Sequence, residues 1–433
     1  MLASAARATS TRGIASRTRS FASVVDANGL KVAAVDNGQP TSSVTFLVKA
    51  GSRYENIPGV AHVLKNFGFK NTVERSALRT VRESELHGGI LSSSLTREHL
   101  SYTAEFLRGD EAYFVDVLSS ILTSTRFTRY ELEESVLPNV EAESTVARAD
   151  PATHALELAH ALAFRSGLGG SLFAAPHSHI TVGDIQAYAN SAFGKGNIAV
   201  IGTGIAQDTL ARLIQKHLGS FVERTASTTT TTAYYGGETR VPFSEHAGQA
   251  PHTIFVGFGA PGKSSAELAV LAAHLSPTPS VKWSAGTSPL SATLPADTSA
   301  KTVLLQYTDA TLFGLLVQGT SPQSVKEAGG VAVNALKNAT TSKGINGEDL
   351  KKAVAKAKFL AASASEGREG LISSIGPSLL AGLEISLDST LASFDKVNAS
   401  TLTKTVADLT KAKPTFVAVG DTYRLPHPDE LGL

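Results

Sequence analysis

The pattern that most limits what this chain can fold into is a repetition of its own element order. A strand-like run from Ser43 to Val48, with Val44, Phe46 and Val48 alternating on one side, leads into a helix centred on His62. About 210 residues later, a strand-like run from His252 to Phe258 leads into a helical run from Ser264 to Leu275. The ends repeat as well. The helix Val182 to Phe193, followed by the strand Asn197 to Ile201 and Gly202, has its counterpart in Val397 to Leu409, Pro414 to Val419 and Gly420. Two copies of one α+β unit account for both echoes. Residues 221–248 are polar, small and aperiodic, as in Ser227 to Thr232 and Gly236-Gly237, and are expected to be the linker between domains at 23–220 and 249–433. A chain of 433 residues, 42% of them hydrophobic, is long enough for two cores.

Local signals fill in the first unit. Leu30 to Val35 reads as a strand, and Pro58 opens the His62 helix. A second helix from Ser76 to His87 stops at Gly88-Gly89, and a hairpin with Leu100, Tyr102, Ala104 and Phe106 in period two fills one sheet edge. Asp110 is expected to cap the next helix, Thr128 with Glu131 to form a capping box, and Pro138 to kink the helix that follows. Asp150-Pro151 ends that helix and starts another carrying His154, Glu157 and His160. Thr181 to Phe193 and Ala206 to Leu218 are helices flanking the strand Asn197 to Ile201.

Composition excludes several classes. With 39 basic and 38 acidic residues the net charge is +1, which gives no global reason to expect nucleic acid as a partner. The absence of Cys removes disulfides, thiolate nucleophiles, iron-sulfur clusters and thiolate zinc sites in this chain. The longest apolar runs, Leu268 to Ala273 and Leu312 to Val317, fall far short of the roughly 20 residues that span a bilayer. Residues 1–22 carry Arg7, Arg12, Arg17 and Arg19 among Ala, Ser and Thr, with no acidic residue before Asp26. That is the composition of a mitochondrial transit peptide, cleaved to leave a start near Ala22; the plain alternative is a disordered basic tail.

The chemistry centres on Gly59 to Thr72, G-V-A-H-V-L-K-N-F-G-F-K-N-T. An H-x-x-E-H helix places two imidazoles on one face to grip zinc, with a Glu between them to activate water. Here His62 keeps the first ligand position, Lys65 stands at the base and Asn66 at the second imidazole. An ammonium cannot accept a proton from water, and an amide is a poor zinc ligand. Peptide hydrolysis is not expected.

These residues carry a resemblance. The chain is similar over nearly its whole length to the pitrilysin-like family, which includes the mitochondrial processing peptidase and the core proteins of ubiquinol:cytochrome c oxidoreductase. Active members read close to G-x-A-H-F-L-E-H-M-x-F-K-G-T, so Gly59, Ala61, His62, Leu64, Phe69, Lys70 and Thr72 match while both decisive positions depart. The resemblance implies a third zinc ligand a little under 80 residues downstream, where Glu143 stands. With one imidazole lost and Lys65 beside the site, no catalytic residue, metal or other cofactor is expected. Val281 to Leu290 is similar to a K-x-S-x-G-T-S-P-L stretch of one core-protein branch, and Ser291 to Lys301 lacks the long glycine-rich loop of the non-catalytic processing-peptidase subunit, the alternative within the family. The implied role is structural: a non-catalytic subunit of a dimeric complex III, paired with core protein 1 beneath cytochrome b and peripheral on the matrix side of the inner membrane.

A rival from another class is a nucleotide-binding protein. Gly257-Phe258-Gly259-Ala260-Pro261-Gly262-Lys263-Ser264 satisfies G-x-x-x-x-G-K-[ST] between an expected strand and helix. Against it, the candidate magnesium ligand Asp309 follows Gln306-Tyr307-Thr308 rather than an apolar strand. His154, Glu157 and His160 spread over about 120° of a helix, too wide for one ion, so packing is expected. His177 and His179 read as a solvated loop, and Lys351, Lys352, Lys356 and Lys358 as the wet face of a helix.

Overall fold

The computed structural model describes residues 23–27, 29–222, 231–243, 250–262, 265–279, 286, 288–341, 345–382 and 386–433. The expected transit peptide and residues 281–285 and 287 of the Val281 to Leu290 stretch lie outside the described residues.

The first half contains β1 (Ser23–Ala27), β2 (Leu30–Val35), β3 (Thr41–Val48), α1 (Val60–Asn66), α2 (Ala77–Leu86), β4 (Ile90–Leu95), β5 (Leu100–Leu107), α3 (Glu111–Ser124), the one-turn α4 (Arg129–Glu131), α5 (Leu137–Ala149), α6 (Pro151–Phe164), α7 (Val182–Ala192), β6 (Ile198–Thr203) and α8 (Gln207–Leu218). The second contains β7 (Gly237–Val241), β8 (His252–Pro261), α9 (Ala266–Leu275), β9 (Thr298–Gln306), β10 (Ala310–Gly319), α10 (Pro322–Asn338), α11 (Gly347–Ala364), α12 (Arg368–Ala381), α13 (Leu387–Asp395), α14 (Ala399–Thr410) and β11 (Thr415–Val419).

Among the described residues the strands form two sheets, ordered β1-β2-β6-β3-β5-β4 and β7-β11-β8-β10-β9. Apart from β1, the orders superimpose term by term. The pairs β2/β6 and β7/β11 are both parallel, and the other equivalent pairs are antiparallel. The repetition in the sequence is thus a repetition of topology. It also shows that residues 221–248 are more than connection: β7 lies among them and is the counterpart of β2. Its sequence, GETRV, is short and polar, and it sits at an edge where no alternation is required.

Each sheet packs one face on its own helices, giving cores built around Phe46, Phe67, Tyr102 and Phe114 in the first half and Phe258, Phe313 and Phe416 in the second. The opposite faces are covered by exchange. The small-residue stripe Ala155, Ala159 and Ala163 of α6 lies on Phe255, Leu312, Leu316, Val417 and Val419 of the second sheet. Leu371, Ile375 and Leu379 of α12 lie on Ala33, Ala199 and Ile201 of the first. This is why β3, expected to be apolar on one side, is buried on both; its far-side hydroxyls pair across strands, Ser43 with Thr203 at 2.7 Å and Thr45 with Thr103 at 2.8 Å.

Three local expectations shift. Asp110 precedes α3 but makes no capping bond, its carboxylate meeting His87 Nδ1 at 3.3 Å instead. Thr128 Oγ1 donates to the Glu131 side chain at 2.5 Å rather than accepting from the backbone, so no capping box forms. Ahead of Pro138 the backbone widens into a π turn over Leu132–Val136 that runs directly into α5, and the proline sits in the first turn of α5, just past the widened turn. Asp150 caps α6 as expected, accepting from the Ala152 and Thr153 N–H groups.

Candidate functional site

The seven-residue α1 is fixed at its N-terminus. Its N-cap, Gly59, has φ +89°, and a Cβ there would stand 2.6 Å from the Ala174 Cβ, so only glycine fits. With no capping side chain at Gly59, Glu55 does the work, accepting from the Gly59 N–H at 3.0 Å and the Ala61 N–H at 3.2 Å. Burial nevertheless pushes the Glu55 carboxyl up to about 7, against those two donors. Val60, Ala61, Val63 and Leu64 are buried, and His62, Lys65 and Asn66 share a face by their i, i+3, i+4 spacing.

That face meets Glu143 on α5, and the four residues singled out in the sequence come together. His62 Nε2 lies 2.6 Å from Glu143 Oε2; Lys65 Nζ donates to both carboxylate oxygens, at 2.8 and 2.7 Å; Asn66 Nδ2 donates to Oε2 at 3.2 Å. Burial alone would raise the Glu143 pKa, but the hydrogen bonds from Lys65, His62 and Asn66 outweigh it and hold the carboxyl below its usual range. His62 is pushed below the usual imidazole value by burial, the Glu143 carboxylate opposing.

Ala174, which no motif marks, sets the state of His62. The Ala174 N–H donates to His62 Nδ1 at 3.1 Å, while the Ala174 carbonyl accepts from Ser144 Oγ of α5 at 3.1 Å. Since a backbone N–H can only donate, Nδ1 is the acceptor and Nε2 carries the proton it gives to Glu143. The Phe173 ring meets the imidazole edge-on, with centroids 5.5 Å apart.

These residues do not fit a zinc ion. A metal on Nε2 would need the ring proton on Nδ1, donated to an acceptor, and the group there is a second donor. The carboxylate is occupied by an ammonium, and Asn66 turns its NH₂ rather than its oxygen to the centre. Among the described residues there is no group of three or more His, Asp or Glu placed to hold a metal. The constellation is a closed hydrogen-bond network around one carboxylate.

The other sequence candidates separate. Gly257 to Pro261 is not a loop: it lies inside β8, paired through Pro261 with Ala310 of β10, so its backbone groups serve the ladder; Lys263 and Ser264 lie outside the described residues. Asp309 is taken by Arg53 and Thr232. His160 is packed, donating from Nδ1 to the Leu156 carbonyl and accepting the Tyr307 hydroxyl at Nε2, both at 2.6 Å. Glu157 accepts from Arg97 at 2.8 Å, and His154 is half-buried beside it. His177 and His179 are exposed. Of the lysines, Lys356 donates to the carbonyls of Ser276 and Thr278 beyond the end of α9, Lys358 pairs with Asp395 and Lys352 with Asp349, while Lys351 is exposed. Among the described residues, no helix is long and apolar enough to cross a membrane.

Comparison with known proteins agrees with this architecture. Residues 31–176 match the family described as Insulinase (Peptidase family M16). The chain is 45% identical to a Cryptococcus neoformans protein over 99% of this chain and 98% of the relative, and 38% identical to one from Yarrowia lipolytica over 97% and 100%. It is 28% identical to a human protein over 93% of this chain and 90% of that one. All three bear the name cytochrome b-c1 complex subunit 2, mitochondrial. The chain belongs to the cytochrome b-c1 complex subunit 2 family, and its residues 31–176 match the insulinase (peptidase family M16) model.

Proposed function

We propose that this chain is a non-catalytic structural subunit of the mitochondrial cytochrome b-c1 complex. The observation that carries the reading is the near-complete mutual coverage with relatives of that name, down to 28% identity in human. The closed His62, Lys65, Asn66 and Glu143 network supports the non-catalytic part. A peptidase needs a vacant coordination position and a free base, and here each polar group is already a hydrogen-bond partner of another. His62, Lys65, Asn66 and Glu143 are then the remnant of a peptidase site with no catalytic or metal-binding role. Its partners are core protein 1 and the other complex subunits, cytochrome b among them, in a dimeric assembly, and the chain is held on the matrix face of the inner membrane through them.

The test is co-migration. After solubilisation in mild detergent, the chain should run with cytochrome b on a native gel and be lost from that position when cytochrome b is absent. A chain that runs free of cytochrome b, or with a presequence-cleaving heterodimer, overturns the assignment.

A further inference from the structure

Duplication makes two hairpin turns equivalent, Thr96 to His99 between β4 and β5 and Tyr307 to Asp309 between β9 and β10, and these turns meet across the boundary between the halves. Arg53 lies at their junction, on the short 3-10 turn Ser52–Tyr54 that follows β3, with its side chain only 3% exposed. Nη1 donates to Glu98 Oε1 and Asp309 Oδ1, both at 2.7 Å; Nη2 donates to Asp309 Oδ2 at 2.7 Å and Thr232 Oγ1 at 3.1 Å. Asp309 also accepts the Thr232 N–H at 3.0 Å, and Glu98 accepts the Thr308 N–H at 3.1 Å. One guanidinium from the first half is thus gripped by a carboxylate from each half, and each carboxylate binds backbone across or beside the boundary.

Most of the rest of the boundary is of another kind, although His160 accepts the Tyr307 hydroxyl, Lys31 donates to the Leu380 carbonyl and Arg368 pairs with Glu105 across it. The exchanged helices α6 and α12 meet the opposite sheets through alanine and aliphatic side chains. Such contact is non-directional and permits small sliding of packed helices. A bidentate arginine–carboxylate pair is directional, because two parallel N–H donors must face two oxygens. With the guanidinium buried and the Asp309 carboxylate half-buried, the pair tolerates little displacement.

We infer that the Arg53–Asp309 pair is an interdomain latch, which selects one relative setting of the two halves from those the apolar helix exchange allows. The device couples the β4–β5 turn to the β9–β10 turn, more than 200 residues away in the chain.

Hydrogen exchange read by mass spectrometry on the full chain tests this. Asp309→Asn, which keeps the side-chain shape while weakening the grip on Arg53, should raise amide exchange at least tenfold in the β4–β5 turn of the other half as well as around Thr308 and Thr232, and leave the interior of β3 unchanged. A double-mutant cycle with Arg53→Ala and Asp309→Ala should show the double variant less destabilised than the sum of the singles by a factor of about 5 to 100 in the unfolding equilibrium. Unchanged exchange in the β4–β5 turn overturns the latch even if the cycle shows coupling, since the pair would then be a local ion pair only. Additivity within a factor of about two overturns it as well. Should the alanine variants fail to fold, the exchange arm on Asp309→Asn decides alone.

Discussion

Changing Lys65 to Glu and Asn66 to His in one chain rebuilds the H-x-x-E-H helix, and the structure sets how much zinc affinity should follow. Two obstacles disappear. Unit charges about 4 Å apart interact by about 4 kcal/mol at an effective dielectric of 20, so an ammonium in the Lys65 position opposes a dication by about 8 kcal/mol before the side chain swings away. The second imidazole is supplied by the new His at 66. A third obstacle stays, because the Ala174 N–H still points at His62 Nδ1. Moving the ring proton there forfeits that bond and leaves a buried donor unpaired, at about 1–3 kcal/mol, or about 5- to 150-fold in affinity. The expected result, from competition with a chromophoric chelator, is one zinc per chain in the double variant, bound more weakly than a site with a proper acceptor at Nδ1 would bind it. Lys65→Glu alone should gain little, and the wild type should bind none. A wild-type affinity within tenfold of the double variant would falsify the reasoning, as would a folded double variant with no zinc affinity.

Other expectations follow from the same geometry. Burial lowers the His160 pKa to about 3, so the folded state keeps it neutral; this contribution to stability is complete above about 6.5 and lost as pH falls towards 3, reaching about 2–3 kcal/mol by pH 4.5. Thermal melts from pH 7 to 4.5 should show that loss in wild type and a flatter profile in His160→Gln; parallel profiles contradict it. The lowered pKa values of Glu143 and Asp309 add losses of the same sign only below about 4.5 and 3.8. Gly59→Ala should cost about 2–3 kcal/mol in urea unfolding, from its positive φ and the 2.6 Å approach to Ala174, and a cost below 1 kcal/mol is incompatible with that contact. Because α6 and α12 are exchanged, residues 23–220 produced alone should lack cooperative unfolding and recover it with residues 231–433; a cooperative isolated half would show the exchange to be dispensable.

Much of the fold was readable because its signals are local. The period-two runs in β3 and β5, the Asp150-Pro151 break and the repeated helix–strand endings each follow from a few adjacent residues. The candidate site was readable for the same reason: His62, Lys65 and Asn66 are fixed by helical spacing, and Glu143 by the family resemblance. What escaped depends on distant parts of the chain. The alanine stripe of α6 looks like any buried helix face, and nothing in it says that the sheet beneath belongs to the other half. The polar strand β7 is recruited by β11 almost 180 residues later. Asp309, weighed as a magnesium ligand, is claimed by Arg53, and Ala174 acts through a backbone N–H that side-chain identity does not reveal. Glu55 left one faint trace, an acidic residue four positions before the N-cap of α1.

Whether the His62 helix serves a catalytic metal is decided by elemental analysis of the purified complex, compared between wild type and a His62→Asn variant, with presequence cleavage assayed with and without chelator. Both complexes should hold the same zinc content and show no chelator-sensitive cleavage that depends on His62. One equivalent of zinc present in wild type and missing from the variant, together with loss of cleavage, would contradict this.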